Sequence, residues 1–84
     1  MFVIEDELHA EWQEGLFETR QLAISELRRR AAISWNEEPN RAPCTSWSTC
    51  GRQYVLIEYD DSKELTRELI LEISSTGVRW VGSE

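Results

Sequence analysis

Residues 54–59 (YVLIEY), 66–74 (TRELILEIS) and 78–81 (VRWV) decide the fold, because they are short runs of aromatic, branched and alternating apolar residues set between polar turns. YVLIEY reads as a strand and residues 60–64 as the polar turn that follows it. In TRELILEIS a period of two places Leu69, Leu71 and Ile73 on one face and Glu68, Ile70 and Glu72 on the other, so one face is expected in the core and the other mostly in water. Ser75, Thr76 and Gly77 read as a hairpin loop, with the glycine supplying the positive φ that such a loop often needs. Turns this short join antiparallel neighbours.

Upstream of these strands, residues 34–53 (SWNEEPNRAPCTSWSTCGRQ) have neither helical nor strand periodicity and hold both prolines, both cysteines and two of the four tryptophans. A compact domain seldom keeps a connection of this length unless it binds something or is disordered, and the tryptophans argue against disorder. A helix is expected before it, over residues 19–33, with Thr19 as N-cap and Glu18 at the favourable end of the dipole. Ala23, Leu27 and Ala31, with Ile24 beside them, form a stripe suited to lie on a sheet, and Arg28, Arg29 and Arg30 complement the dipole in the last turns. Residues 2–5 read as a first strand and residues 10–17 as a second, with Gly15 marking a bulge or turn. The expectation is a single α+β domain over residues 1–84: a mostly antiparallel sheet of four or five strands with one helix packed on one face, and a long loop between the helix and the third strand. The other face has no cover of its own, and Trp12, Tyr59 or Trp80 lying there would make it a surface for dimerisation or ligand binding.

Sixteen acidic against nine basic residues give a net charge of −7, which disfavours nucleic acid or an anionic membrane and favours a basic protein partner. Hydrophobic residues make up 40% of the chain, which is ordinary for a folded domain and too high for a disordered one. The N-terminus lacks the basic flank and apolar run of a signal peptide, and no apolar stretch reaches the roughly 20 residues that span a bilayer. A soluble cytoplasmic protein is expected.

No catalytic or metal signature is complete, no cofactor motif is present, and an enzyme is the less favoured class. Cys44 and Cys50 (CTSWSTC) are spaced wider than usual zinc pairs and have only His9 as a further nitrogen donor. A disulfide is sterically possible, but two reduced, partly buried thiols are the expectation. His9 lies in an acidic run (EDELHAE) and reads as a solvated residue at a strand end. In the loop, Arg41, Thr45, Ser46, Trp47, Cys50 and Arg52 combine hydroxyls, a thiol, guanidinium groups and a flat aromatic face, which together can hold a small anionic or aromatic ligand. The competing reading has Trp47 pinning the loop to the core. Of the two loop tryptophans, Trp35 is the expected anchor and Trp47 the partly exposed one. Arg28, Arg29 and Arg30 spread around the helix and do not make one patch. The acids Glu5, Asp6, Glu7, Glu11, Glu14 and Glu18 form a run with no Lys or Arg before Arg20 that can either solubilise a surface or imitate phosphate spacing.

VIEDELHAEW together with APCTSWSTCGRQYVLIEYD resembles a group of small bacterial proteins of uncharacterised function that share an acidic HAE start and an APCTSW-type loop leading into a strand. The resemblance implies a bacterial cytoplasmic origin and fits small genes carried on mobile elements; it implies no activity and no catalytic residues. The leading expectation is a non-enzymatic interaction module, homodimeric, using the Trp/Cys loop or the open sheet face. Two alternatives stand beside it: a small-ligand binder or thiol enzyme on the same loop, and an acidic, nucleic-acid-mimicking inhibitor of a DNA- or RNA-binding protein.

Overall fold

The computed structural model describes residues 1–42 and 51–82. Five strands and a helix follow in the order β1 (Phe2–Asp6), β2 (Glu11–Trp12), α1 (Arg20–Ala31), β3 (Gly51–Asp60), β4 (Lys63–Ser74) and β5 (Gly77–Trp80). The strands form one sheet in the order β2-β1-β3-β4-β5, and every neighbouring pair is antiparallel. The fold is therefore α+β, with α1 on one face of a five-stranded sheet.

Both C-terminal hairpins turn in two residues. Asp61 and Ser62 join β3 to β4 beyond the Asp60–Lys63 pair, with Asp61 at φ 53°. Ser75 and Thr76 join β4 to β5, and Gly77, at φ 127°, opens the strand rather than lying in the loop. Thr19 caps α1 as expected, accepting a hydrogen bond from the Leu22 amide at 3.2 Å. The helix ends at Ala31, two residues before the expected limit.

The core side of α1 presents Ala23, Ile24 and Leu27 to Ile4, Tyr54, Leu56, Ile70, Leu71 and Ile73 of the sheet, with Phe2, Phe17, Ala31 and Trp35 packed at its margin. Trp35 thus takes the anchoring position expected of it. The strict alternation expected in β4 does not hold. Tyr54 pairs with Leu71 and Val55 with Leu69, so Ile70 is an extra residue on the β4 side. This bulge shifts the phase of the strand: Ile70 joins Leu71 and Ile73 under the helix, while Leu69 moves to the opposite face beside Val3, Val55 and Ile57.

The second strand is also shorter than residues 10–17. Glu5 pairs with Trp12 and Asp6 with Glu11, the Gln13 amide makes a last bond to the Ile4 carbonyl at 3.0 Å, and the chain then leaves the ladder and passes Gly15, which has φ 110°. It returns at Phe17, whose backbone exchanges hydrogen bonds with Phe2 at 2.7 and 2.9 Å. Continuing the first register would have placed residue 15 there, so two extra residues loop out of this edge.

Candidate functional site

Among the described residues two places gather polar or aromatic side chains: a buried network at one end of the helix-side core, and the sheet face that α1 does not cover.

The network starts from strand alternation. Asp6 follows Phe2 and Ile4 on the helix side of β1 and is fully buried. A buried carboxylate needs partners, and Asp6 has four: Oδ1 accepts from the amides of Leu8 (3.1 Å) and Gln53 (3.0 Å), and Oδ2 accepts from Arg52 Nη1 (2.8 Å) and His9 Nδ1 (2.6 Å). Arg52, also buried, donates in addition to Glu11 Oε1 (2.7 Å) and to the carbonyls of Asn40 (3.1 Å) and Arg41 (2.8 Å). Burial works against the Arg52 charge, and the Asp6 and Glu11 carboxylates outweigh it, holding the guanidinium above its ordinary value.

Asn40 carries the network to the helix. Its Nδ2 donates to the carbonyls of Arg30 (2.8 Å), which also accepts the Ile33 amide at 3.0 Å, and of Ile33 (2.9 Å) just past the end of α1, and its Oδ1 accepts from the Tyr54 hydroxyl at 3.0 Å. Arg30 extends the apolar stripe of α1 inward instead of pointing to water. Its guanidinium lies 5.1 Å from the Tyr54 ring centroid and donates to Gln13 (2.7 Å) and Glu26 (2.7 Å). Gln13 reaches Glu11 at 3.3 Å, which closes a ring through Arg52, Asn40, Tyr54 and Arg30. No buried side-chain nitrogen or oxygen among the described residues lacks a partner.

Of the loop residues proposed to hold a ligand, the structure places two. Arg52 is turned inward as described. Arg41 is exposed, with Nη2 at 3.2 Å from Glu38, and meets Arg52 only through its carbonyl. Thr45, Ser46, Trp47 and Cys50 lie outside the described residues, as does Cys44. His9 is not the solvated residue expected: it sits in the β1–β2 turn with 17% of its side chain exposed and donates to Asp6. Such a contact orients an imidazole for proton transfer and equally anchors a turn. Among the described residues no cluster of His, Cys, Asp and Glu is suited to a metal ion.

The second place is the open face. Val3, Val55 and Ile57 are buried there, with Tyr59 and Leu69 packed against them. Arg67 lies above this strip, donating to Glu5 (3.2 Å), Glu7 (3.4 Å) and Glu64 (3.4 Å), and the Glu5 contact above all raises its affinity for the proton. The acidic run is thus interleaved with guanidinium groups: Glu5 and Glu7 meet Arg67, and Asp6 and Glu11 meet Arg52. Toward the β2 edge the strip opens. Trp12, opposite Glu5 in the ladder, stacks on Tyr59 with ring centroids 6.1 Å apart and planes at 27°, and stays 56% exposed. The pair borders a groove of about 590 Å³ that Val3, Leu16, Asp60 and Asp61 also line. Trp80 is not part of it, because its pairing with Leu71 puts it on the helix side of the sheet.

Sequence reasoning named Trp12 and Tyr59 as open-face candidates but did not find Asp6, Arg30 or Asn40. Asp6 had a readable signal, since it shares the parity of Phe2 and Ile4. Compared with known proteins, the chain matches no family model, no curated protein and no solved structure.

Proposed function

We propose that this chain is a non-enzymatic protein-interaction module whose contact surface is the open sheet face around Trp12 and Tyr59. The observation that carries the reading is the exposed Trp12 stacked on Tyr59 beside an apolar groove, on a face that no helix covers among the described residues. Tryptophan and tyrosine are enriched at interface hot spots, and an apolar groove of this size is suited to receive a side chain from a partner. The inner network supports the same reading from the opposite direction. Its groups are occupied by one another, and its geometry ties the β1–β2 turn, α1 and β3 together, so it stiffens the platform behind the open face.

The test is selection of displayed peptides against the folded protein, with counter-selection on Trp12→Ala, whose exposed position leaves the fold intact. Peptides that bind the natural chain and lose binding on the variant support the reading. Selected peptides indifferent to Trp12 would move the contact surface elsewhere.

Self-association is a second reading, favoured by a separate observation. All four residues of β5 are exposed and its outer edge has no partner strand among the described residues, so two copies can extend one sheet across a two-fold axis. That edge is at the far side of the sheet from Trp12, and the two contacts are compatible.

A further inference from the structure

We infer that the Trp12–Tyr59 groove receives an arginine side chain from a basic segment of a protein partner. The inference rests on the reading of the open face as the interaction surface and adds the chemistry of what it binds. Its first support is a contrast among carboxylates. On the open face Glu5, Glu7 and Glu64 share Arg67, and Glu72 meets Arg79 at 3.2 Å. Asp60 and Asp61, which line the groove, are exposed and form no salt bridge among the described residues, although the Met1 ammonium, donating to the Tyr59 carbonyl at 3.3 Å, lines the same groove and Lys63 pairs with Asp60 across the ladder. Two carboxylates that no side chain among the described residues engages thus stand beside the exposed Trp12 ring, open to a cation from outside.

The walls give the second support. Stacked Trp12 and Tyr59 offer the π face over which a cation is attracted, and Leu16, 70% exposed, offers apolar surface for a methylene stem. Arginine fits this set better than lysine, because its planar guanidinium stacks on an aromatic ring and presents a fork of donors to carboxylates. The net charge of −7 draws a basic segment toward the surface and repels nucleic acid and anionic membranes.

The probe is the capped peptide Ac-Gly-Arg-Gly-Arg-Gly-amide, titrated into isotopically labelled protein and followed by NMR, with the citrulline counterpart as a neutral isostere. The Trp12 indole N–H and the amides of Asp60, Asp61 and Ser62 are expected to shift saturably with the arginine peptide and to stay unmoved with citrulline. Added salt should weaken the binding. Asp60→Asn with Asp61→Asn, where asparagine tolerates the positive φ of residue 61, should weaken it roughly fivefold, and Trp12→Leu, which keeps the groove apolar but removes the π face, by a similar factor. Absence of shifts at these resonances, or full binding by Trp12→Leu, would overturn the inference. Equal binding of the citrulline peptide at the same resonances would also overturn it while leaving the open face as a contact surface, which separates this failure from failure of the broader reading.

Discussion

At the scale of single residues, Tyr54 shows how much of this core is polar by design of the sequence. Its ring is fully buried under α1, faced by the Arg30 guanidinium, and its hydroxyl donates to Asn40. Burial is the main cause that pushes the phenol above its ordinary value, with Arg30 pulling the other way. The unfolded chain therefore releases this proton first, at about pH 10. Above that point the unfolded state binds fewer protons than the folded one, and stability falls as pH rises toward the folded value. Tyr54→Phe keeps the ring but leaves Asn40 Oδ1 without its donor, so a loss of about 1 to 3 kcal/mol at neutral pH is expected. The same variant should lose less additional stability between neutral and alkaline pH than the natural chain does. Chemical denaturation at a series of pH values checks both; an unchanged alkaline slope would show that Tyr54 does not carry it. Glu26 works with the opposite sign, its carboxyl held low chiefly by Arg29, so its contribution is present above the ordinary carboxylate range and fades in acid. The sequence displayed Tyr54 as an ordinary strand residue. Nothing local marks a tyrosine whose partners, Asn40 and Arg30, come from 14 and 24 residues away.

Elements were more legible than their phases. Thr19 and the spacing of Ala23, Ile24 and Leu27 defined α1, and the alternation and turn residues of the last third defined β3, β4 and β5, because these signals are local. The Ile70 bulge was hidden, since a strand with Leu69, Ile70 and Leu71 in succession offers an apolar residue to either face whichever phase it takes. Gly51 is a second position where tertiary structure, not local sequence, sets the requirement. A Cβ there would stand 2.1 Å from the Ile73 carbonyl oxygen and 2.9 Å from the Ser74 Cα, both backbone atoms of β4 that cannot rotate away. Gly51→Ala should therefore force β3 and β4 apart at the end that holds Arg52, costing about 3 kcal/mol, the upper part of the overpacking range. Hydrogen exchange should show amides of residues 51–54 and 71–74 losing protection in this variant while α1 keeps it. Uniform loss across the molecule would mean that the strand end and the helix unfold as one unit.

For the whole molecule the main constraint is size. A chain of 84 residues buries only about 60% of the surface its unfolded form exposes, so every exposed apolar edge weighs on its behaviour. The β5 edge is one, with Val78 45% and Trp80 37% exposed. Its hydrogen-bonding phase follows from the ladder. The Val81 amide donates to the Ile70 carbonyl at 2.7 Å, and bonded pairs alternate in an antiparallel ribbon, so Arg79 and Gly77 face β4 while the amides of Val78 and Trp80 point outward. A second copy pairing along this edge would use those outward amides. Light scattering at micromolar concentration should then report about twice the 9.8 kDa chain mass. Val78→Pro removes one outward donor without touching the β4–β5 ladder, and Val78→Lys places a charge where the edges would meet; both should give the monomer mass with the fold retained. Salt should not dissociate the natural dimer, because backbone pairing, unlike contact between exposed ions, is not screened. A monomer at every concentration would leave β5 as a bare edge and concentrate the binding role on Trp12, Tyr59 and the groove between them. A dimer that survives both substitutions but not Trp12→Ala would put the second copy in that groove instead.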